Sequence, residues 1–294
     1  MRLFRKSYDL SRAAARPVHA DDLNRVSRLL RDGGRRYYGL SGSELPSLLG
    51  AGQGTVLAIG DEIIAVALVS WPADHICWLR SLALAEGVDL RAGIAALLTA
   101  LHTDLARRQV AAVYYAGDEA ADSWILPELL AQGYAQDTEV VVYEKRDLDI
   151  PSFGNPDVRV RAATGVDMAE VLRLDYACFE PQWTKDDGIF GPAILSGPLF
   201  LIAEIDDQVL GYAYATSHFG GRLIHLVRIA VEPRRQGSQI GVRLLAAVIS
   251  FASAQGATMI TLNTQAYNAH AQRLYRWFGF APTGERQCVL RRQL

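Results

Sequence analysis

A weak echo of the chain within itself, at a nearly fixed spacing, limits its architecture more than any other feature. The segment Arg16 to Val26 lies 145 residues before its counterpart Arg161 to Val171. Leu82-Ala-Leu leading to Leu97-Leu98 recurs as Ile229-Ala-Val leading to Leu244-Leu245, at an offset of 147. Leu130 to Tyr134 matches Arg276 to Phe280 at 146. So small a drift needs few gaps. The period is far longer than the roughly 20–50 residues of solenoid repeats, so each copy is the size of a domain. Two unrelated α/β segments could share generic patterning, but here the order of expected elements repeats as well, which favours duplication. A chain of 294 residues suits two domains of about 150 each. The expected division is 1–147, a linker at 148–156 holding Pro151, Gly154 and Pro156, and 157–294.

Composition narrows the classes of function. Half the residues are apolar and 21% are charged, as in an ordinary globular chain. A formal net charge of −2 exerts no long-range pull on nucleic acid or an anionic membrane, so neither is an expected partner. Cys77, Cys178 and Cys288 are far apart, odd in number and without CxxC spacing, so no disulfide framework or metal site is expected. The N-terminus is basic but lacks the apolar run of a signal peptide. No apolar stretch approaches the roughly 20 residues that span a bilayer. A cytoplasmic location is expected, and the oligomeric state is open.

The second half can be read element by element. Val158 to Ala162 alternates as a strand. A helix is expected from Asp167 to Cys178 and ends before Pro181. A loop around Trp183 leads to a short helix over Asp186 to Leu195. Pro198 to Ile205 and Gln208 to His218 form a hairpin, and Leu223 to Val231 is a third strand. A polar, glycine-bearing loop, Glu232 to Gly241, opens a helix from Val242 to about Ala254, which Gly256 ends. Met259 to Asn263 is a strand and Ala269 to Phe278 a helix. The order β-α-α-β-β-β-α-β-α-β includes one crossover, the Val242 helix, between two apolar strands. The expected fold class is α/β (α+β mixed sheet): each copy is a mixed, mostly antiparallel sheet flanked by helices.

A strand feeding a glycine-bearing loop that opens a helix makes an anion site. The first helical N–H groups have no internal partner, and the helix dipole adds partial positive charge. Arg234, Arg235 and Arg243 add cationic charge at this loop. Spacing alone equally allows an ordinary solvated loop. The loop has neither the Gly-Lys-Ser/Thr ending of a phosphate-binding Walker loop nor the dinucleotide GxGxxG pattern.

Gln236-Gly-Ser-Gln-Ile-Gly241 resembles the Q/R-x-x-G-x-G/A loop that binds acetyl-CoA in GNAT-family N-acetyltransferases. Asn268-Ala-His-Ala-Gln-Arg-Leu-Tyr-Arg-Trp-Phe-Gly-Phe280 resembles the family's second signature, N-x-x-A-x-x-L-Y-x-x-x-G-F. The loop departs from the family at Gln239, where glycine normally lets the backbone approach phosphate closely. The retained N–H still permits binding if the side chain turns outward.

The resemblance implies roles. Backbone groups of Ile229, Ala230 and Val231 would pair with the pantetheine arm. Amides of Gln236, Gly237, Ser238, Gln239, Ile240, Gly241 and Val242 would hold the pyrophosphate. Asn268 would bond the cofactor arm, and Tyr275 would protonate the departing thiolate; the other reading of Tyr275 is a packing residue beside Leu274 and Phe278. His225 stands where related enzymes often carry a Glu or His base, and it is equally readable as a satisfied sheet histidine. In ribosomal-protein N-terminal acetyltransferases a glutamate on the next strand serves instead; Asn263 corresponds here and cannot act as a base. A water relay is the third option. Trp183 and Tyr212 would line the acceptor pocket, with Trp183 alternatively a core anchor.

In the first copy the matching loop is Asp89 to Ile94, Asn268 maps to Asp122 and Tyr275 to Leu129. A carboxylate repels phosphate and leucine donates no proton, so this copy is expected to be degenerate. The implied activity is acetyl transfer from acetyl-CoA, a cosubstrate, to a primary amine of a small molecule or peptide by direct attack. The competing reading is an acyl-CoA-binding sensor without turnover.

Overall fold

The computed structural model describes residues 7–40, 44–73, 75–118 and 121–294. Residues 1–6, part of the stretch read for a leader, lie outside the described residues. The chain forms two compact units. The first comprises Met1–Asp137 with Cys288–Leu294, the second Thr138–Gln287.

In the first unit, β1 (Ala14–Pro17), α1 (Leu23–Asp32), β2 (Arg35–Tyr38), α2 (Leu45–Gly50), β3 (Gly54–Ile59), β4 (Glu62–Ala73), β5 (Ile76–Leu84), α3 (Leu90–Arg107), β6 (Ala112–Asp118) and α4 (Leu126–Ala131) follow in order. Strands β1, β3, β4, β5 and β6 lie side by side, and β2 pairs with β5. β5 and β6 run parallel, with α3 as their crossover.

The second unit takes in β7 (Ala135–Lys145) from Thr138 onward. Then come β8 (Arg159–Ala162), α5 (Met168–Cys178), α6 (Asp187–Ser196), β9 (Leu199–Ile205), β10 (Gln208–His218) and β11 (Leu223–Val231). After these come α7 (Ile240–Ala254), β12 (Met259–Gln265), α8 (Ala269–Trp277) and β13 (Ala281–Gln293). The sheet order is β8-β9-β10-β11-β12-β7, and β11 and β12 are its parallel pair, joined by α7. Mixed sheets flanked by helices are the expected fold class.

The division into units differs from the expected linker at 148–156, and backbone pairing is the reason. β7 pairs antiparallel with β12, Val140 opposite Gln265 through Lys145 opposite Ile260. A strand that belongs to the first copy by position thus completes the second unit's sheet. Conversely, Cys288 and Leu290 are buried in the first unit's core, where Leu294 N–H donates to Ala111 O at 2.9 Å. Prolines and glycines mark where composition changes, not where a strand finds its partner.

Each unit carries the same small ion-pair knot at the offset of 145. Arg16 holds Asp22 through two bonds of 2.7 and 2.8 Å, and Arg161 holds Asp167 through two of 2.9 and 2.7 Å. Each carboxylate also accepts a backbone N–H three residues earlier, His19 in one copy and Thr164 in the other. A bidentate, charge-assisted pair of this kind fixes how the first strand enters the first helix. Its recurrence at the same spacing is what duplication produces.

Two packed faces flank the second sheet. On one, Ile224, Leu226, Leu244, Leu245, Tyr275 and Phe278 share a core with α7 and α8. On the other, Val171, Leu174, Phe190, Phe200, Ile202 and Tyr212 pack α5 and α6.

Candidate active site

Strand β11 is regular until Val227. Opposite β10, Tyr214 pairs with Arg228 but Ala215 with Leu226, so Val227 is an extra residue in a bulge. The bulge moves the alternation by one: Ile224 and Leu226 join the α7 core before it, and Ile229 and Val231 pack there after it. On its other edge, β11 pairs with β12 only from Leu223–Met259 to Leu226–Leu262. Beyond that point β11 continues to Val231 and β12 to Gln265, without pairing to each other. The two strands part, and among the described residues no strand pairs with the outer edge of Val227–Val231; Cys178 Sγ donates to Val231 O there at 3.2 Å, and the other outward backbone groups stand on an edge that an extended ligand can pair with.

The loop after β11 ends beside this opening. Among the described residues, the amides of Gly237, Gln239, Ile240, Gly241 and Val242 have no protein acceptor, whereas Arg243 N–H already donates to Gln239 O at 3.0 Å. These free donors stand at the start of a helix of 15 residues. They form the cradle that a phosphate group needs. The arginines divide. Arg234 and Arg235 are exposed and line an open cleft of about 880 Å³ with Arg173, Glu232 and Gln208. Arg243 instead donates to Phe153 O and Val158 O, both at 3.3 Å, and so pins the chain before β8 to the helix start. Gly154 (φ +71°) packs there so closely that a Cβ would stand 2.7 Å from Arg243 N and 2.8 Å from Gln239 O.

Gln239 is the N-cap of α7 in the left-handed region, φ 61° and ψ 16°, with its side chain exposed and making no cap bond. This is the outward orientation that keeps its N–H available. It also carries strain, because a side chain in that region costs about 1–2 kcal/mol. Gln239→Gly trades this cost against an entropy loss of about 0.5–1 kcal/mol. The net expectation is a stabilisation of about 0.5–1 kcal/mol, read as a higher urea midpoint with an unchanged slope.

The two residues expected to move protons lie on opposite faces of the sheet. Tyr275 belongs to the α7–α8 face, is 5% exposed, and stands beside Tyr143 and Phe280 at centroid distances of 6.2 and 6.0 Å. Among the described residues nothing bonds its hydroxyl, and burial pushes the phenol above its ordinary value, which keeps it protonated. His225 alternates with Ile224 and Leu226 and therefore projects to the other face, one residue before the strands part. It is half-buried, and Nδ1 lies 2.9 Å from Thr261 Oγ1. Burial, followed by the nearby His218, lowers its pKa, so the neutral imidazole is favoured.

Three expected site residues have structural work. Asn268 caps α8, its Oδ1 accepting from Ala271 N–H at 3.2 Å, which leaves its amide NH₂ and a second lone pair of Oδ1 for a ligand. Tyr212, expected in the acceptor pocket, is 0% exposed and is instead a core residue. Its ring stacks on Phe200 at 5.7 Å, and its hydroxyl donates to the buried carboxylate of Asp175. Trp183 is half-buried in a single 3₁₀ turn, Pro181–Trp183, and its carbonyl accepts from Arg228 Nη2 at 2.6 Å.

Sequence reasoning missed the group that holds this loop. Arg228 Nε and Nη2 donate to the two carboxylate oxygens of Asp175 at 2.8 and 2.9 Å, and the guanidinium lies 3.5 Å from the Phe179 ring centroid. Lys185 N–H donates to Asp175 as well, at 2.9 Å. Nearby, Tyr267 donates to Glu180 at 3.1 Å, joining the same loop to the turn before α8. One signal was present: an acid on the apolar face of α5 and an arginine at an inward position of β11.

Residues 167–280 match the acetyltransferase (GNAT) family. Over 123 residues, 41% of this chain and 79% of the other, it is 28% identical to a Bacillus subtilis (strain 168) protein provisionally named a ribosomal protein bS18-alanine N-acetyltransferase. It is 33% identical over 123 residues to N-acetyltransferase 8F1 of Rattus norvegicus, covering 40% of this chain and 51% of the rat protein. The chain thus spans about half the length of that relative. A tandem GNAT protein from the clavulanic acid biosynthesis pathway, solved without acetyl-CoA, shares the fold over 96% of this chain and 98% of its own. The TM-score is 0.63 at 11% identity. The free amides and the parted strands fall inside the one segment, residues 167–280, that matches the acetyltransferase (GNAT) family.

Proposed function

We propose that the second unit transfers an acetyl group from acetyl-CoA to a primary amine by direct attack. The observation that carries the reading is the free-amide cradle at the start of α7, directly after an edge of β11 that no strand occupies among the described residues. A diphosphate on that cradle and an extended pantetheine along Val227–Val231 would run the thioester into the gap between the strands. Backbone donors there would polarise its carbonyl, and fixed placement would supply much of the rate. Tyr275 would deliver a proton to the departing thiolate from the α8 face. His225 would take one from the acceptor ammonium on the opposite face, directly or through water. Trp183 would border the acceptor. Tyr212 would act at second hand, by orienting the carboxylate that anchors the Trp183 loop. The amine itself, in a small molecule or a peptide, is set by that loop.

The test is release of free thiol from acetyl-CoA with a panel of primary amines, alongside calorimetry of CoA. Turnover with at least one amine is expected. Tight binding with no turnover for any amine would favour an acyl-CoA sensor, and absence of binding would end the reading.

The role of His225 has a distinct signature. A base works only when unprotonated, so kcat/KM falls as pH drops through its pKa, which lies below the ordinary value of about 6.5. The amine substrate adds its own slope of one. Below the His225 pKa, log(kcat/KM) should therefore fall one unit per pH more steeply in the native protein than in His225→Gln. Parallel profiles would assign the proton to water alone.

A further inference from the structure

The first unit has the same opening between its parallel strands, and its own chain lies in it. β5 and β6 pair from Ile76–Ala112 to Trp78–Tyr114 and then part, as β11 and β12 do. Beyond that point, however, β2 lines the exposed edge of β5: Arg35 opposite Leu84, Arg36 opposite Ala83, Tyr37 opposite Leu82 and Tyr38 opposite Ser81. The same four residues of β5 are held from the other side by Ala65, Val66, Ala67 and Leu68 of β4. Gly39 N–H extends the pairing to Arg80 O at 2.7 Å. At the offset of 147, Ser81–Leu84 correspond to Arg228–Val231, which among the described residues pair with no strand but β10, with Cys178 Sγ donating to Val231 O at 3.2 Å. The segment at the place of β2 in the second unit is the 3₁₀ turn Pro181–Trp183, which the Asp175–Arg228 pair holds.

Tyr37 closes the point of the opening. It is 8% exposed, its hydroxyl lies 2.8 Å from Ala116 O of β6 and 3.4 Å from Leu79 O of β5, and its ring stands 4.9 Å from that of Tyr115. The phosphate end is closed too. Asp89 caps α3, its Oδ1 accepting from Ala92 N–H at 2.9 Å. The helix begins at Leu90, so its first turn covers the positions that match Gly237–Gln239. Donors that are free at Gln239 and Ile240 in the second unit are bonded here: Ala92 N–H to the Asp89 carboxylate and Gly93 N–H to Asp89 O at 2.8 Å.

We propose that the first unit is an acyl-CoA fold whose ligand groove is filled by its own strand β2 and sealed by Asp89, so that each chain takes up a single equivalent of CoA. What the groove would otherwise hold rests on the function proposed above, but the filling of the groove does not. Hydrogen exchange with the full chain tests the filling directly. With both edges paired, all four amides of Ser81–Leu84 should exchange slowly, with or without CoA. In Arg228–Val231 the outward amides should exchange fast alone and slow down with CoA. Fast exchange across Arg35–Tyr38 and Ser81–Leu84 would overturn the proposal whether or not CoA binds. Calorimetry supplies the second measurement. One equivalent is expected, lost in Gln239→Asp, which puts a carboxylate at the N-cap of α7, the place that Asp89 takes on α3. Two equivalents, or one that survives Gln239→Asp, would overturn the proposal, while no binding with slow exchange at Ser81–Leu84 would sink the proposed function and the single equivalent with it, and would bear out only the filling of the groove.

Discussion

Replacing Tyr275 with phenylalanine is expected to lower kcat by about 10²–10⁴-fold, the usual contribution of a positioned proton donor. KM for acetyl-CoA and folding stability should change little. The separation follows from the surroundings of the hydroxyl. Among the described residues no group bonds it, so its removal orphans no partner, and the ring contacts with Tyr143 and Phe280 are kept. A packing residue would behave differently: Phe would be neutral in every measurement. Burial holds the phenol protonated across the working range, so the loss should not be recovered by lowering the pH. Steady-state kinetics with a primary amine, compared with a urea titration of both proteins, reads both halves of the expectation. An unchanged kcat would assign protonation of the thiolate to solvent.

The largest loss of stability is expected on breaking the Asp175–Arg228 pair. Asp175 is 0% exposed and Arg228 9%. Removing one partner leaves an uncompensated buried charge, at a cost of about 3–5 kcal/mol. That is a large share of the roughly 5–15 kcal/mol by which domains are stable. Asp175→Ala also deprives the Tyr212 hydroxyl and Lys185 N–H of their acceptor. Arg228→Ala frees the Trp183 carbonyl and with it the turn at Pro181–Trp183. Chemical denaturation should place both single variants several kcal/mol below the native protein. A double variant with apolar residues of similar volume should recover much of the loss, because the desolvation penalty then disappears with the pair. Additive losses would show that the two side chains act separately.

The domain-scale repeat, the element order of the second half and the single crossover helix were legible because each rests on local signals: periodicity, turn residues and helix stops. The glycine-bearing loop that leads from β11 into α7 was legible for the same reason. Asn268 shows what local reading leaves out. Its place in a motif suggested a ligand contact, and its carbonyl oxygen also caps the helix that it begins. Tyr212 shows an error. An aromatic on a strand near a cleft looked accessible, and only the packing of α5 and α6 over β10 makes it core. Neither the alternation of β10 nor the motif indicated that Asp175 would stand beneath it.

Sequence by itself determined that this chain repeats a domain-sized α/β unit and that its second copy opens a helix with free N–H groups. Both follow from spacing along one segment, where covalent connection decides which groups are neighbours. Only the tertiary structure decided which strand completes which sheet, and that β2 lies along β5 while, among the described residues, no strand lies along the outer edge of the end of β11. Strand partners are chosen by hydrogen bonds and burial between residues far apart in the chain. The physical difference between a filled groove and an open one is which segment wins that edge: in one copy Arg35–Tyr38 pairs there, in the other a buried ion pair holds the matching segment in a turn.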